Sequence, residues 1–213
     1  AGGVYAAAGT LIDDTSNMAE PVLDLREVTS LPGPHNWQNA AAAYAAAKAA
    51  GVSPEVIRGA IESFPGLAHR QELIAVIDGV AYVNDSKATN ADAAANALAS
   101  YRTVYWIAGG RLKEGGLEAL APSLDKVRHA FLIGEAAEDF ARILDGKVGF
   151  SRASTLEEAL PQARQRALEE GGEKPVVLLS PACSSFDQFK DFTERGELFR
   201  ELVQALPGGG AIP

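Results

Sequence analysis

The sequence predicts an α/β fold whose larger part is a doubly wound, mostly parallel sheet with a Rossmann-like arrangement. From Gly66 onward, short apolar runs alternate with helical stretches, the order expected when helices connect parallel strands. Glycine, proline or polar residues bound each run, as is typical of strands. Polar or glycine-rich segments follow several runs, at the position where open α/β sheets bind ligands. These segments are therefore the candidates for function.

The composition limits the classes of function and the partners. The chain has 213 residues, of which 47% are hydrophobic, enough for one or two domains. Nineteen basic and 28 acidic residues give a formal net charge of -9, so we expect no nucleic-acid partner. No run approaches the roughly 20 apolar residues that span a bilayer, and the alanine-rich start lacks the basic flank of a signal peptide. We therefore expect no membrane association.

The cysteine and histidine content argues against disulfides and zinc. Cys183 is the only cysteine, so no intrachain disulfide can form, and we expect a reducing cytoplasm. No histidine stands near Cys183 in sequence to activate it, which predicts a buried, unreactive thiol. The three histidines lie far apart, with no cysteine or histidine at ligand spacing, so the sequence predicts no zinc site.

The first part of the chain predicts short strands followed by a pair of helices. Residues 2–29 are strand-like, and GGVYAAAGTLIDD predicts a hairpin that turns at Ala8 and Gly9. After the proline and glycine residues of LPGPHN, the run HNWQNAAAAYAAAKAAG consists of strong helix formers and ends at a glycine. The next helix, in VSPEVIRGAIESF, begins with Ser53 as N-cap and Pro54 at its first position.

The second part predicts the sheet. The stretch QELIAVIDGVAYVND is a pair of apolar runs around Asp78 and Gly79, a hairpin signal. TVYWIAGG, HAFLIGE, KVGF and KPVVLLSPA are short apolar strands separated by helical stretches. The segments that follow the strands are NDSKATN, GGRLKEGG, GEAAED and SPACSSFDQFKDF.

The segment NDSKATN has a structural and a functional interpretation. Thr89 and Asp92 fit a capping box, with Asp in place of Glu, at the start of the following helix. That interpretation leaves Lys87 unexplained. A lysine beside Asp85 at a strand end is either a solvated charge or an anion-binding group, and position alone favours neither.

Two further segments add polar chemistry. In GGRLKEGG, four glycines surround Arg111 and Lys113, but the pattern matches neither GxxxxGKS/T nor GxGxxG, so its anion-binding signal is weak by itself. Two strand-end loops that both carry cations are a stronger signal. The last segment contains three serines near Cys183, which are Ser180, Ser184 and Ser185. It also contains Phe186, Phe189 and Phe192, which we predict to be core residues.

Five strings in this order and spacing resemble the Mur ligase family: LPGPHNWQNA, GLAHRQE, NDSKATN, IAGG with a following lysine, and LLSPACSSFDQFKDFTERGELF. The resemblance covers almost the whole chain, and NDSKATN together with SPACSSFDQFKDF is its most specific part. Within the family, the match is to the ligases that add D-glutamate. The resemblance implies a cytoplasmic ligase of peptidoglycan synthesis, and through it a role in cell shape and division.

The reaction implied by the resemblance uses ATP to phosphorylate the carboxylate of UDP-N-acetylmuramoyl-L-alanine. The amine of D-glutamate then attacks the acyl phosphate, and phosphate leaves as the amide forms. Carried over residue by residue, the D-glutamate site comprises Lys87, Thr89, Lys113, Ser185 and the backbone N–H of Phe192. The nucleotide contacts implied are Asn36 and Asn39 near the adenine, Arg70 on the phosphates and Asp85 on the ribose.

The resemblance also predicts the domain organisation. Residues 1–67 would be the end of a central ATP-binding domain, residues 68–206 a complete C-terminal domain, and residues 207–213 a flexible tail. A GxxxxGKS/T loop and the family's magnesium ligands are not found, so ATP and Mg²⁺ would need residues beyond this chain, and we expect it to be inactive alone and monomeric. We assign no catalytic residue. Two alternatives remain: a non-catalytic amino-acid-binding module, and a related ligase such as a folylpolyglutamate synthase.

Overall fold

The computed structural model describes residues 2–208. They form two compact units, with the boundary between Gly66 and Leu67. Most of the segment predicted as a flexible tail, residues 209–213, lies outside the described residues. Within residues 2–208, no helix combines the length and the apolar character needed to cross a membrane.

The first unit packs two helices against a small sheet. Its three strands are antiparallel in chain order, and the predicted hairpin is present because Ala8 and Gly9 both adopt positive φ. Leu11, Tyr44 and Ile57 form part of the core between sheet and helices. The strands are β1 (Val4–Ala7), β2 (Thr10–Asp13) and β3 (Glu20–Asp24), and the helices are α1 (Pro34–Ala49) and α2 (Pro54–Glu62).

The second unit is built on a six-stranded sheet that confirms the predicted α/β class. The strand order is β4-β5-β9-β6-β7-β8, and every pair is parallel except β4 with β5. Asp78 and Gly79 adopt the positive φ of the predicted hairpin turn. The strands are β4 (Glu72–Ile77), β5 (Val80–Asn84), β6 (Thr103–Gly109), β7 (Val127–Ile133), β8 (Gly149–Ser154) and β9 (Pro175–Leu179).

Helices cover both faces of this sheet, as in a doubly wound fold. Every residue of β6 is buried, and its side chains alternate between the two faces. Trp106 belongs to one core cluster, whereas Tyr105 and Ile107 belong to the other. The helices are α3 (Ala91–Ala99), α4 (Ala137–Leu144), α5 (Leu156–Glu170) and α6 (Phe192–Gln204), with a 3₁₀ segment at Glu118–Lys126.

The edge strand β8 differs from its prediction. The sequence indicated a strand only at KVGF, residues 147–150, whereas β8 runs on to Ser154. Because β8 pairs with β7 alone, its polar residues Ser151 and Arg152 are tolerated at the sheet edge. Those polar residues removed the apolar signal on which the prediction depended.

Candidate functional site

The parallel strands bring three of the candidate segments to one edge of the sheet. Strands β5, β9 and β6 are neighbours, so the segments after their carboxyl ends lie side by side. The Asp85 carboxylate accepts a 2.7 Å hydrogen bond from Ser180 Oγ. Arg111 and Ser184 exchange backbone hydrogen bonds of 2.9 and 3.0 Å. These bonds tie all three segments to one another.

Lys87 lies against the first residue of α6. Its Nζ atom is 4.0 Å from the centroid of the Phe192 ring, a cation–π contact. The backbone N–H of Lys87 donates to the carbonyl of His69 over 3.0 Å. The ammonium remains exposed, so it can meet an anion from solvent.

Lys113 reaches the segment after β5. Its Nζ donates a 3.0 Å hydrogen bond to Thr89 Oγ1, which brings the second predicted cation next to the first loop. The capping box predicted for Thr89 and Asp92 is wrong. The N-cap of α3 is Asn90, whose side chain accepts a 2.9 Å hydrogen bond from the N–H of Ala93. Because the helix begins one residue later than predicted, the Thr89 hydroxyl is left to contact Lys113.

Ser185 and Phe192 are placed by the segment after β9 and by α6. Ser185 is buried, and its carbonyl accepts hydrogen bonds from the N–H groups of Gln188 and Phe189. Phe192 is the first residue of α6, and Asp191 caps that helix by accepting from the N–H of Glu194 over 2.9 Å. N–H groups in a first helical turn lack intrahelical acceptors, and they lie at the positive end of the helix dipole. This end of α6 therefore favours a carboxylate.

The three phenylalanines do not share one environment. The core position predicted for Phe186 is wrong, since its side chain is 62% exposed in the segment after β9. Phe189 packs against a core cluster as a partly buried residue, and Phe192 makes an edge contact with the ring of His69. The buried position predicted for Cys183 is confirmed, and burial raises the pKa of its thiol to about 12.

Asp85 is a buried carboxyl group beneath the site. Its second oxygen accepts a 3.1 Å hydrogen bond from the N–H of Gln71. Burial raises the pKa of Asp85 to about 7, against the opposing effects of the hydrogen bonds from Ser180 and Gln71 and of the charge of Arg70. The group is 6% exposed, so a ribose hydroxyl would meet only a small part of it.

The other predicted nucleotide residues lie in both units. Arg70 is exposed and belongs to the second unit, where it follows His69. Asn36 and Asn39 lie on α1 of the first unit; Asn36 donates a 2.8 Å hydrogen bond from its side chain to the carbonyl of Pro32, and Asn39 is exposed. The nucleotide roles of all four residues, Asp85 included, stay predictions.

The described residues contain neither a phosphate loop nor a cluster of metal ligands. Among residues 2–208, no cluster of three or more histidine, cysteine, aspartate or glutamate side chains is arranged to hold a metal ion. The sequence contains no GxxxxGKS/T loop to surround phosphates.

Three residues of the site were missed in the sequence. His69 is buried with φ 62°, and its Nδ1 lies 3.0 Å from the side-chain nitrogen of Asn84. Ser86 is fully buried between Asp85 and Lys87, and Arg195 of α6 donates a hydrogen bond to it. A lone histidine, a serine and an arginine in a polar helix give no sequence signal of burial; only the order of the folded strands brings them together.

Comparisons with known proteins agree with this architecture. Residues 69–183, more than half of the chain, match the family described as "Mur ligase, glutamate ligase domain". Among solved structures, an Acinetobacter baumannii UDP-N-acetylmuramoylalanyl-D-glutamyl-2,6-diaminopimelate–D-alanyl-D-alanyl ligase superposes with a TM-score of 0.58 at 21% identity, over 94% of this chain and 43% of that one. The UDP-N-acetylmuramate-alanine ligase of Thermotoga maritima gives a TM-score of 0.57 at 18% identity, over 82% and 39%. At these identities the likeness concerns the fold alone.

Two curated relatives are much more similar in sequence. The UDP-N-acetylmuramoylalanine–D-glutamate ligase of Paramagnetospirillum magneticum is 56% identical over 209 residues, 98% of this chain and 45% of the relative. The corresponding ligase of Rhodospirillum rubrum is 55% identical over 205 residues, 96% of this chain and 43% of the relative. The chain thus spans less than half the length of these relatives. With the strand order, the matched family and these identities together, the chain belongs to the Mur ligase family.

Proposed function

We propose that this chain supplies the D-glutamate site of an ATP-dependent ligase that joins D-glutamate to UDP-N-acetylmuramoyl-L-alanine. The observation that carries the proposal is the convergence of two lysines from separate loops, Lys87 and Lys113, at one edge of a parallel sheet. The names of the curated relatives support the choice of substrates. The proposed location is the cytoplasm, and the proposed state is a monomer.

The chemistry of this edge suits an amino acid with two carboxylates. Each lysine offers a compact ammonium charge to one carboxylate, with hydrogen bonds that are stronger than those between neutral groups. The hydroxyls of Thr89 and Ser185 and the backbone N–H of Phe192 are further groups that would fix the orientation of the ligand. Together these groups would hold both ends of glutamate and leave its α-amine directed away from the lysines.

In the proposed reaction, this chain contributes orientation more than bond chemistry. The amine nitrogen forms a bond to the activated carbonyl carbon, loses a proton, and the bond from that carbon to the phosphate oxygen breaks. Holding the amine within reach of its target makes the step effectively intramolecular, which is a large part of the rate that enzymes gain. We assign no residue of this chain to proton transfer.

The nucleotide side of the proposal rests on four residues. Arg70 would contact phosphate and Asp85 ribose, while Asn36 and Asn39 would lie near the adenine. The first unit would then be the end of an ATP-binding domain and the second unit a C-terminal domain. The phosphate loop and the magnesium ligands of the family would be supplied by residues outside this chain, since neither is found among the described residues.

The test is a ligation assay with the missing half supplied. This chain is fused to the segment of the Paramagnetospirillum magneticum relative that precedes the matched region, and ADP release is measured with UDP-N-acetylmuramoyl-L-alanine, ATP and D-glutamate. We expect ADP release that requires D-glutamate and is much slower with L-glutamate. If the fusion folds and binds D-glutamate but releases no ADP, the non-catalytic binding module is the better account. Dependence on another amino acid would refute the proposed substrate.

A further inference from the structure

Arg195 is a buried cation without a carboxylate partner among the described residues. Its side chain on α6 is 1% exposed, and it takes part in none of the ion pairs found within residues 2–208. Its Nη1 atom is buried and has no hydrogen-bond partner in that part of the chain. Burial lowers the pKa of Arg195 to about 10, against the opposing effect of the charge of Asp187, which forms no direct ion pair with it. Burying an unpaired charge is unfavourable, so packing alone does not account for an arginine here.

The guanidinium of Arg195 instead holds two of the strand-end segments. Nε donates a 3.0 Å hydrogen bond to Ser86 Oγ, and Nη2 donates to the carbonyl of Ser86 over 2.9 Å. Nη2 also donates to the carbonyl of Cys183 over 3.1 Å. One planar group therefore fixes the segment after β5 and the segment after β9 at the same time.

This network continues into the residues proposed to bind the ligand. Ser86 immediately precedes Lys87, and its Oγ donates a 2.7 Å hydrogen bond to the carbonyl of Phe192. Cys183 lies two residues before Ser185 in the same segment. All five proposed ligand residues lie within three residues of this network or of the Arg111–Ser184 pairing that adjoins it. Lys87, Ser185 and Phe192 are the nearest.

We propose that Arg195 is the positioning residue of the site formed by the segments after β5, β6 and β9. It holds the loops carrying Lys87 and Ser185 against the first turn of α6, and its charge, which no direct ion pair neutralises, adds to the positive field that an anionic ligand meets. Arg195 itself need not touch the ligand. The identification of the ligand as D-glutamate rests on the proposed function. The positioning of the loops by Arg195 does not depend on it.

The test uses the 213-residue chain and three variants. Arg195→Met keeps the approximate length and removes the charge and all donors, and Arg195→Lys keeps the charge but loses the planar fork. Phe199→Leu is the matched control, because Phe199 is fully buried on the same helix and packs in the core cluster on one face of the sheet. Backbone amide shifts and D-glutamate affinity are measured by NMR for each protein.

For Arg195→Met we expect shifted amide signals at Ser86, Lys87, Ser185 and Phe192. The dissociation constant should rise about tenfold or more, because displacement of the loops would weaken one or two charged hydrogen bonds to the ligand. Arg195→Lys should lie between wild type and Arg195→Met. Phe199→Leu should lower the melting temperature yet keep wild-type affinity below its transition.

Two results would overturn the positioning role: wild-type amide shifts and affinity in folded Arg195→Met, or equal losses in Arg195→Met and Phe199→Leu. If Arg195→Met does not fold, the same comparison is made with Arg195→Lys, whose wild-type shifts and affinity would equally refute the role.

If the wild-type chain binds no D-glutamate, the proposed function of this chain fails. The amide shifts then test the positioning role of Arg195 separately. Shifts that change in the arginine variants and not in Phe199→Leu support this role, and any other result refutes it.

Discussion

The Nζ atom of Lys113 donates a hydrogen bond of 3.0 Å to Thr89 Oγ1 and so joins the segment after β6 to the segment after β5. In the sheet, β9 lies between β5 and β6, so the contact connects the segments of two strands that are not adjacent. Lys113 is exposed, and holding a long side chain in one position costs conformational entropy. An anion placed between these residues would meet a lysine that is already near its binding position.

Removing this pair should weaken binding of the amino acid. We expect Lys113→Ala to raise the D-glutamate dissociation constant about tenfold or more, since a charged hydrogen bond is lost. Thr89→Val should have a smaller effect, and the double variant should lose less than the sum because the two residues are in contact. The matched control is Lys126→Ala, a partly exposed lysine just before β7 at the opposite end of the strands. NMR titration measures all four; additive effects would contradict the coupling.

The contact between Lys87 and Phe192 predicts that substitutions of the two residues weaken D-glutamate binding unequally. Lys87→Met should weaken D-glutamate binding about tenfold or more, because an ammonium donor to a carboxylate is lost. Phe192→Leu keeps the backbone N–H and removes the cation–π contact with Lys87 and the edge contact with His69, so its dissociation constant should rise by about two- to fivefold. Isothermal titration calorimetry compares them. A larger loss for Phe192→Leu than for Lys87→Met would mean that the aromatic ring, not the backbone, contacts the ligand.

Asp85 should make the second unit less stable as pH rises. Its pKa is raised from 3.8 to about 7 in the folded chain, so between these values the unfolded chain loses the proton before the folded chain does. Stability from this group is complete at low pH and falls through that window, by up to about 4 kcal/mol. Asp85→Asn keeps a carbonyl acceptor for the N–H of Gln71 and cannot ionise.

Hydrogen exchange of the β6 amides reports on the second unit and measures this effect. We expect the stability of wild type relative to Asp85→Asn to decrease between pH 5 and pH 8, within and just above the window set by the raised pKa. The carboxyl carbon of Asp85 should also titrate near pH 7 by NMR. A constant difference between the two proteins, together with a titration near the ordinary value of an aspartate, would contradict the buried environment of this group.

Two helix caps allow stability to be separated from binding. Asp191 caps α6 beside Phe192, and Asn90 caps α3, each by accepting from the N–H three residues on. Replacing either residue by alanine should lower the melting temperature of the second unit by about 2–5 °C, because one cap hydrogen bond is lost in each. Only Asp191→Ala should also weaken D-glutamate binding measurably, since Phe192 begins the helix that Asp191 caps. Equal affinities in both variants would argue against a role for the first turn of α6.

Local signals in the sequence were sufficient for much of the fold. Both hairpin turns, at Ala8-Gly9 and Asp78-Gly79, were predictable because tight two-residue turns require positive φ, which favours glycine at the second position. The central strands were predictable because strands buried on both faces are continuously apolar, as β6 is. The edge strand β8 was only partly predictable. It pairs with β7 alone, so polar residues are tolerated in it and leave no continuous apolar pattern.

The candidate site was predictable in its location and less so in its contacts. The chemistry of NDSKATN and the lysine after IAGG indicated an anion site at the strand ends, and the second unit brings Lys87, Thr89 and Lys113 to one edge. The role of Arg195 was not predictable, because it contacts Ser86 across 109 residues of sequence. In sequence, a buried arginine looks the same as a solvated one.

An NMR titration of this chain with D-glutamate and, separately, with L-glutamate tests the proposed site most directly. We predict weak binding of D-glutamate, on the order of millimolar, because a small ligand at an open site recovers little of its association cost. The shifts should concentrate at Lys87, Thr89, Lys113, Ser185 and Phe192, and L-glutamate should bind less tightly because inversion at the α-carbon misplaces its amine or a carboxylate. Shifts confined to residues 2–66, or equal responses to both enantiomers that persist in Lys113→Ala and Ser185→Ala, would contradict the placement of the site.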